Sequence, residues 1–135
     1  MAALSANGLS PGAHSVLTVS SALGGVEAIL EGAISRGQTF DALFAFSDLI
    51  AFQCINALGK MGRSVPDDVA VVGFDDIQST FALPFPLTTV SLQKELLAKS
   101  AFELLLRRIS GDYSDYPVRE ILGVSLVVRG SSPRI

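Results

Sequence analysis

Apolar residues along the 135-residue chain fall into two alternating patterns. Short dense runs at residues 16–20 (VLTVS), 42–46 (ALFAF), 69–73 (VAVVG), 88–92 (TTVSL) and 124–128 (VSLVV) predict strands. The runs at 42–46 and 69–73 carry no polar residue, which suits strands buried on both faces. Between the runs, apolar positions recur at helical spacing. Val26, Ile29, Leu30, Ala33 and Ile34 line one face of a helix predicted over 23–36, with Ser21 as a cap and Gly37 as the stop. Ser47 stands where an N-cap belongs, and Asp48 follows in the first turn, near the positive end of the helix dipole. That second helix runs to about Met61 and stops at Gly62. It carries one stripe of Ile50, Cys54, Leu58 and Met61 and another of Leu49, Phe52 and Ile55, so it is predicted to be buried on more than one side. A third helix is predicted over 94–109. Leu97, Ala98, Ala101, Phe102, Leu105 and Ile109 are to face inward, while Glu95, Lys99, Glu103 and Arg107 form an outward ladder of alternating charge. Residues 1–9 read as the end of a helix, and 10–12, 64–68 and 112–118 as loops or turns.

Strands alternating with helices predict an α/β fold, a three-layer α/β/α arrangement around a parallel sheet with right-handed crossovers. Ligands of such open sheets bind beyond the carboxyl ends of the strands. The pattern puts Ser20-Ser21, Ser47-Asp48 and Asp75-Asp76 there.

Composition narrows the class. The length allows one domain. At 49% hydrophobic and 17% charged, the chain has too much to bury to be disordered. One Cys excludes an internal disulfide framework. A net charge of −3 and a pI near 5.0 argue against a general nucleic-acid surface. Mean hydropathy is high, at +0.48. The longest uncharged stretch, residues 1–26, is too rich in Gly, Ser, Thr and Asn for a membrane span, and the start resembles no signal peptide. The expectation is a cytosolic protein whose apolar excess covers a partner surface or belongs to something larger.

Candidate chemistry is sparse. His14 lies in a Gly/Ser-rich loop and reads as solvated, Cys54 reads as a buried structural thiol, and one His with one Cys gives no metal-ligand spacing. Gly24-Gly25 opens a helix but lacks a phosphate-loop pattern. No catalytic set and no cofactor is implied. Asp75-Asp76 is the strongest local signal. The pair could bind Mg²⁺, accept hydrogen bonds from sugar hydroxyls or base N–H groups, or cap the following turn.

Residues 41–90 carry a longer ordered pattern: Ser47-Asp48 with Ala51, then Gly62 to Val69, then Gly73-Phe74-Asp75-Asp76, then Pro86-Leu87-Thr88-Thr89-Val90. With SAFELLLRRISG and SLVVRGSSP downstream, the chain resembles the lactose-repressor (LacI/GalR) family of bacterial regulators. The resemblance implies a periplasmic-binding-protein type I-like fold, not an enzyme. Residues 1–135 would be the C-terminal portion of an effector-binding and dimerisation domain, incomplete in its C-terminal lobe. The helix at 94–109 would cross back to the N-terminal lobe. DNA would be bound only through an N-terminal headpiece outside this chain, and the chain alone would be ordered as an oligomer or with other segments of its parent. Carried over, Asp75 would contact a small-molecule effector, sugar or nucleoside-like, and Ser47 would add a polar contact. Ser20 falls where some members place a stacking ring, which serine cannot supply. Asp48 would orient its loop and Asp76 would hold it. Phe52, Phe81, Ala82 and Leu83 would lie at a homodimer interface. A transporter's solute-binding protein, or a Mg²⁺-dependent enzyme or receiver-like domain using Asp75-Asp76, are the competing readings.

Overall fold

The computed structural model describes residues 2–10, 12, 15–19, 25–77 and 85–132. In chain order the elements are α1 (Ala2–Ala6), α2 (Val26–Ser35), β1 (Ala42–Phe44), α3 (Asp48–Lys60), β2 (Ala70–Phe74), β3 (Thr88–Ser91), α4 (Lys94–Ile109) and β4 (Ser125–Val127). One sheet runs β1-β2-β3-β4. β1, β2 and β3 are parallel, as the alternating pattern predicts, but β4 returns antiparallel to β3. The parallel expectation fails at this last strand because its chain comes back through α4 and a loop instead of crossing over.

The core forms where α3 lies between α2 and β2. Leu30 and Ala33 of α2, Ile50, Ala51, Cys54 and Leu58 of α3, and Val71 of β2 are all buried. The first apolar stripe of α3 and two residues of the second, Phe52 and Ile55, join the same cluster, while Leu49 stays exposed. Burial pushes the Cys54 thiol up to about 11, which keeps it protonated and unreactive at neutral pH.

Three expectations need correction. Residues 42–46 are not buried on both faces: Leu43 and Ala45 turn to the core, while Phe44 and Phe46 are 66% and 64% exposed. β1 is the outer strand of the sheet, and the face that carries Phe44 is left uncovered among the described residues. Residues 16–19 form no strand, although Leu17 and Val19 pack inward and Val16 and Thr18 outward, as a strand would have them. The alternation is present, but a strand also needs a hydrogen-bonded neighbour. The predicted inward face of α4 is bare: no α4 residue is buried, and Ile109 is 73% exposed. Leu126 of β4 and the flanking Val124 and Val128 are exposed as well. Much of the apolar excess therefore sits on α4 and β4.

The charge ladder of α4 is also partly redirected. Lys99 pairs with Glu103 at 3.9 Å, but Arg107 turns to the loop after the helix, 3.1 Å from Asp112 and 2.7 Å from Asp115. The hydroxyl and amide of Ser114, and then Arg107, hold the Asp112 carboxyl down at about 2. A depressed carboxylate contributes stability above its unfolded value and loses it as pH falls through its folded one. The corner at 112–115 is therefore expected to stay closed at neutral pH and to open as pH falls from 3.8 towards about 2. An NMR titration of Asp112 with the Ser114 amide as reporter checks this; a midpoint at the ordinary carboxylate value would contradict it.

Candidate functional site

The carboxyl ends of β1 and β2 meet the N-terminus of α3. After β1 the chain passes through Ala45 and Phe46 to Ser47, which is extended (φ −151°, ψ 159°) and accepts a hydrogen bond from the Ile50 amide at 3.4 Å. Ser47 is thus the N-cap that the sequence predicts. Its hydroxyl proton is still available to a further acceptor.

Asp48, the next residue, is only 1% exposed. Its carboxylate accepts from the Ile77 amide at 2.7 Å and from the Thr89 hydroxyl at 2.5 Å. A buried carboxylate needs such donors, and the first turn of a helix favours its charge. The Thr89 oxygen in turn accepts from the Asp76 amide at 3.3 Å. One side chain on α3 therefore fastens β3 and the segment leaving β2. The fit leaves no room at Gly73: a Cβ there would overlap the Asp48 carboxylate and come within 2.9 Å of Leu87. This accounts physically for the glycine in the G-F-D-D segment.

Asp75 and Asp76 leave β2 with positive φ, 109° and 49°. Side-chain-bearing residues adopt such angles at a cost of roughly 1–3 kcal/mol each, and only where their surroundings fix them. The Asp75 amide still donates to Val90 at 3.0 Å, which pins the turn to β3. The two acids then part. Asp76 is committed: its carboxylate lies 2.8 Å from Arg129 and its carbonyl accepts from Lys94 at 2.9 Å. The carboxylate of Asp75, half-buried, takes no hydrogen bond or ion pair among the described residues, so its acceptor sites remain available. β1 and β2 pair in parallel, and Ser47 and Asp75 follow their carboxyl ends. The Ser47 hydroxyl and the Asp75 carboxylate thus lie at the same end of the sheet, after two neighbouring strands.

Ser20, Phe81, Ala82 and Leu83 lie outside the described residues. Phe52 does not stand open to a partner; it is 7% exposed within the chain's own core. A groove of about 370 Å³ lies elsewhere, lined by Leu17, Thr18, Ile29, Gly32 and Arg36 beside α2, and includes none of the predicted site residues. No cluster of three metal-ligating residues exists among the described residues. Sequence reasoning missed Thr89 and Arg129. Arg129 had a signal: it is the charged residue that closes an uncharged run from Ile121 to Val128.

The sequence pattern of the periplasmic binding protein-like domain matches residues 2–132. A LacI-type transcription regulator from Bifidobacterium animalis subsp. lactis superposes with a TM-score of 0.77 at 30% identity, covering 99% of this chain and 48% of that one. The chain belongs to the LacI/GalR family. Within this family, the HTH-type transcriptional regulator CelR of Thermobifida fusca is 40% identical over 107 residues, 79% of this chain and 31% of the relative. A solved CelR–cellobiose complex superposes with a TM-score of 0.84 at 34% identity, over 97% of this chain and 40% of that one. This LacI/GalR chain thus spans less than a third of the length of the curated regulator it matches.

Substituting Gly73→Ala is expected to displace the Asp48 carboxylate from its two donors and lower stability by about 1–3 kcal/mol, as overpacking of a tight site does. Urea unfolding measures this. A variant as stable as the parent would mean that the Asp48 contact is not held as tightly as described.

Proposed function

We propose that this chain is the effector-sensing part of a DNA-binding transcriptional regulator, and that its effector is a sugar. The single observation that carries the reading is the Asp75 carboxylate, unpartnered among the described residues at the carboxyl end of β2, on a turn held by five other residues. A carboxylate accepts from adjacent sugar hydroxyls without needing a counter-charge. The cellobiose named in the complex of a similar regulator supports the sugar class. Ser47 is the second contact. Ser20 can contribute a hydrogen bond but no stacking surface.

DNA binding would come from a headpiece outside these residues, and the bare faces of α4 and β4 would meet the rest of the effector domain. Effector binding would then shift the regulator between states by its differential affinity for them. A cytoplasmic homodimer is the expected setting. For that contact the structure offers Leu49, exposed on α3, in preference to Phe52. The Mg²⁺ reading is disfavoured, because Arg129 already neutralises Asp76 and separates the two acids in role.

Titrating cellobiose into the intact regulator by calorimetry tests the proposal. Asp75→Asn is expected to weaken binding about 10- to 100-fold, the value of hydrogen bonds to a charged acceptor. Unchanged affinity would remove Asp75 from the site, and no binding by the parent protein would overturn the choice of cellobiose.

A further inference from the structure

The turn that presents Asp75 is held at its backbone by Val90, Thr89, Asp48 and Lys94, but among the described residues one alone bonds to its side chains. That residue is Arg129, at the end of the strand that returns from α4. Its guanidinium spans two parts of the fold: one nitrogen donates to the Leu87 carbonyl at 2.9 Å and another lies 2.8 Å from the Asp76 carboxylate. Its own position is firmly set. The Arg129 amide donates to the Thr88 hydroxyl at 2.8 Å, the Gly130 amide to the Pro86 carbonyl at 2.9 Å, and the buried Ser131 hydroxyl to the Val71 carbonyl at 2.6 Å. Arg129 is therefore a fixed post to which Asp76 is tied.

We propose that Arg129 is a positioning residue for effector recognition. Through Asp76 it holds the positive-φ pair in the geometry that aims Asp75 out of the sheet, without touching the effector itself. Arg129 reaches Leu87 and Asp76 with two separate nitrogens of a rigid fork, whereas a lysine would have to serve both from one. The link also joins the site to the segments that lead into and out of α4. Lys94, at the start of that helix, holds the Asp76 carbonyl, and Gln93 beside it donates to the Gly123 carbonyl at 3.0 Å. The proposal rests on the reading of Asp75 as the effector contact.

Two measurements on the intact regulator separate that reading from the proposal. The first is amide exchange at Asp75, Asp76 and Ile77. Arg129→Gln is expected to speed it about tenfold, as the loss of one charge-assisted hydrogen bond would, with α3 amides unchanged. Arg129→Lys should recover part of the protection. Asp76→Asn, which leaves Arg129 bonded to Leu87, should reproduce the local effect if the arginine variant unfolds the chain. The second is calorimetry with cellobiose: Arg129→Gln and Asp76→Asn should each weaken binding about tenfold, and the double variant no further, because the two residues act as one unit. Unchanged exchange at 75–77 would overturn the positioning role, as would faster exchange with unchanged cellobiose affinity or fully additive losses. If the parent protein itself fails to bind cellobiose, the sugar reading has failed, and the exchange arm alone decides whether Arg129 positions the turn.

Discussion

A carboxylate withdrawn from water is costly unless donors surround it, and Asp48 is withdrawn almost completely. Its two oxygens collect the Ile77 amide and the Thr89 hydroxyl, and so bind the start of α3 to β3 and to the segment leaving β2. Much follows from that contact. It requires glycine at 73, because the oxygen occupies the space of a Cβ. It orients the Thr89 oxygen towards the Asp76 amide. It leaves the chain at 75–77 little freedom, so that Asp75 meets the end of the sheet with its carboxylate unbonded among the described residues. On the proposed reading, that stored acceptor is what the effector finds. Preorganisation of this kind means that less ordering has to accompany binding.

Burial is unequally shared between the two halves of the fold. Around α3 the packing is dense, and Leu49 is the large residue of its two apolar stripes left exposed. Along α4, β4 and the outer side of β1, large apolar groups stay bare, Phe44, Phe102 and Ile109 among them. The locked end of the sheet and the open faces are joined near Gln93 and Arg129.

Legibility in the sequence followed the range of the interaction. Helix α3, its Ser47 cap and its two-sided burial were plain, because periodicity and capping are set within a few residues. β2 and β3 were plain as well. Residues 16–19 show the alternation of a strand without its ladder, and α4 shows an inward face with nothing against it. In both places the sequence carries one side of a contact, and no described residue supplies the other. The site was legible in its residues and hidden in its wiring. Asp75-Asp76 stood out as a pair, but that one acid is spent on Arg129 and the other kept open depends on residues 53 positions apart. The bond from Asp48 to Thr89 spans 41 positions and leaves no periodic trace. Phe52 shows the converse error: an apolar stripe looks the same whether its partner is another subunit or the chain's own core.

The most direct measurement is a crystal structure of the intact regulator grown with cellobiose. Sugar hydroxyls within hydrogen-bonding distance of the Asp75 carboxylate, with the Asp48–Ile77 bond unbroken, are the expected result. Sugar bound elsewhere, for example in the groove of Leu17, Gly32 and Arg36 beside α2, with Asp75 facing only solvent, would contradict the assignment of the strand end as the effector site.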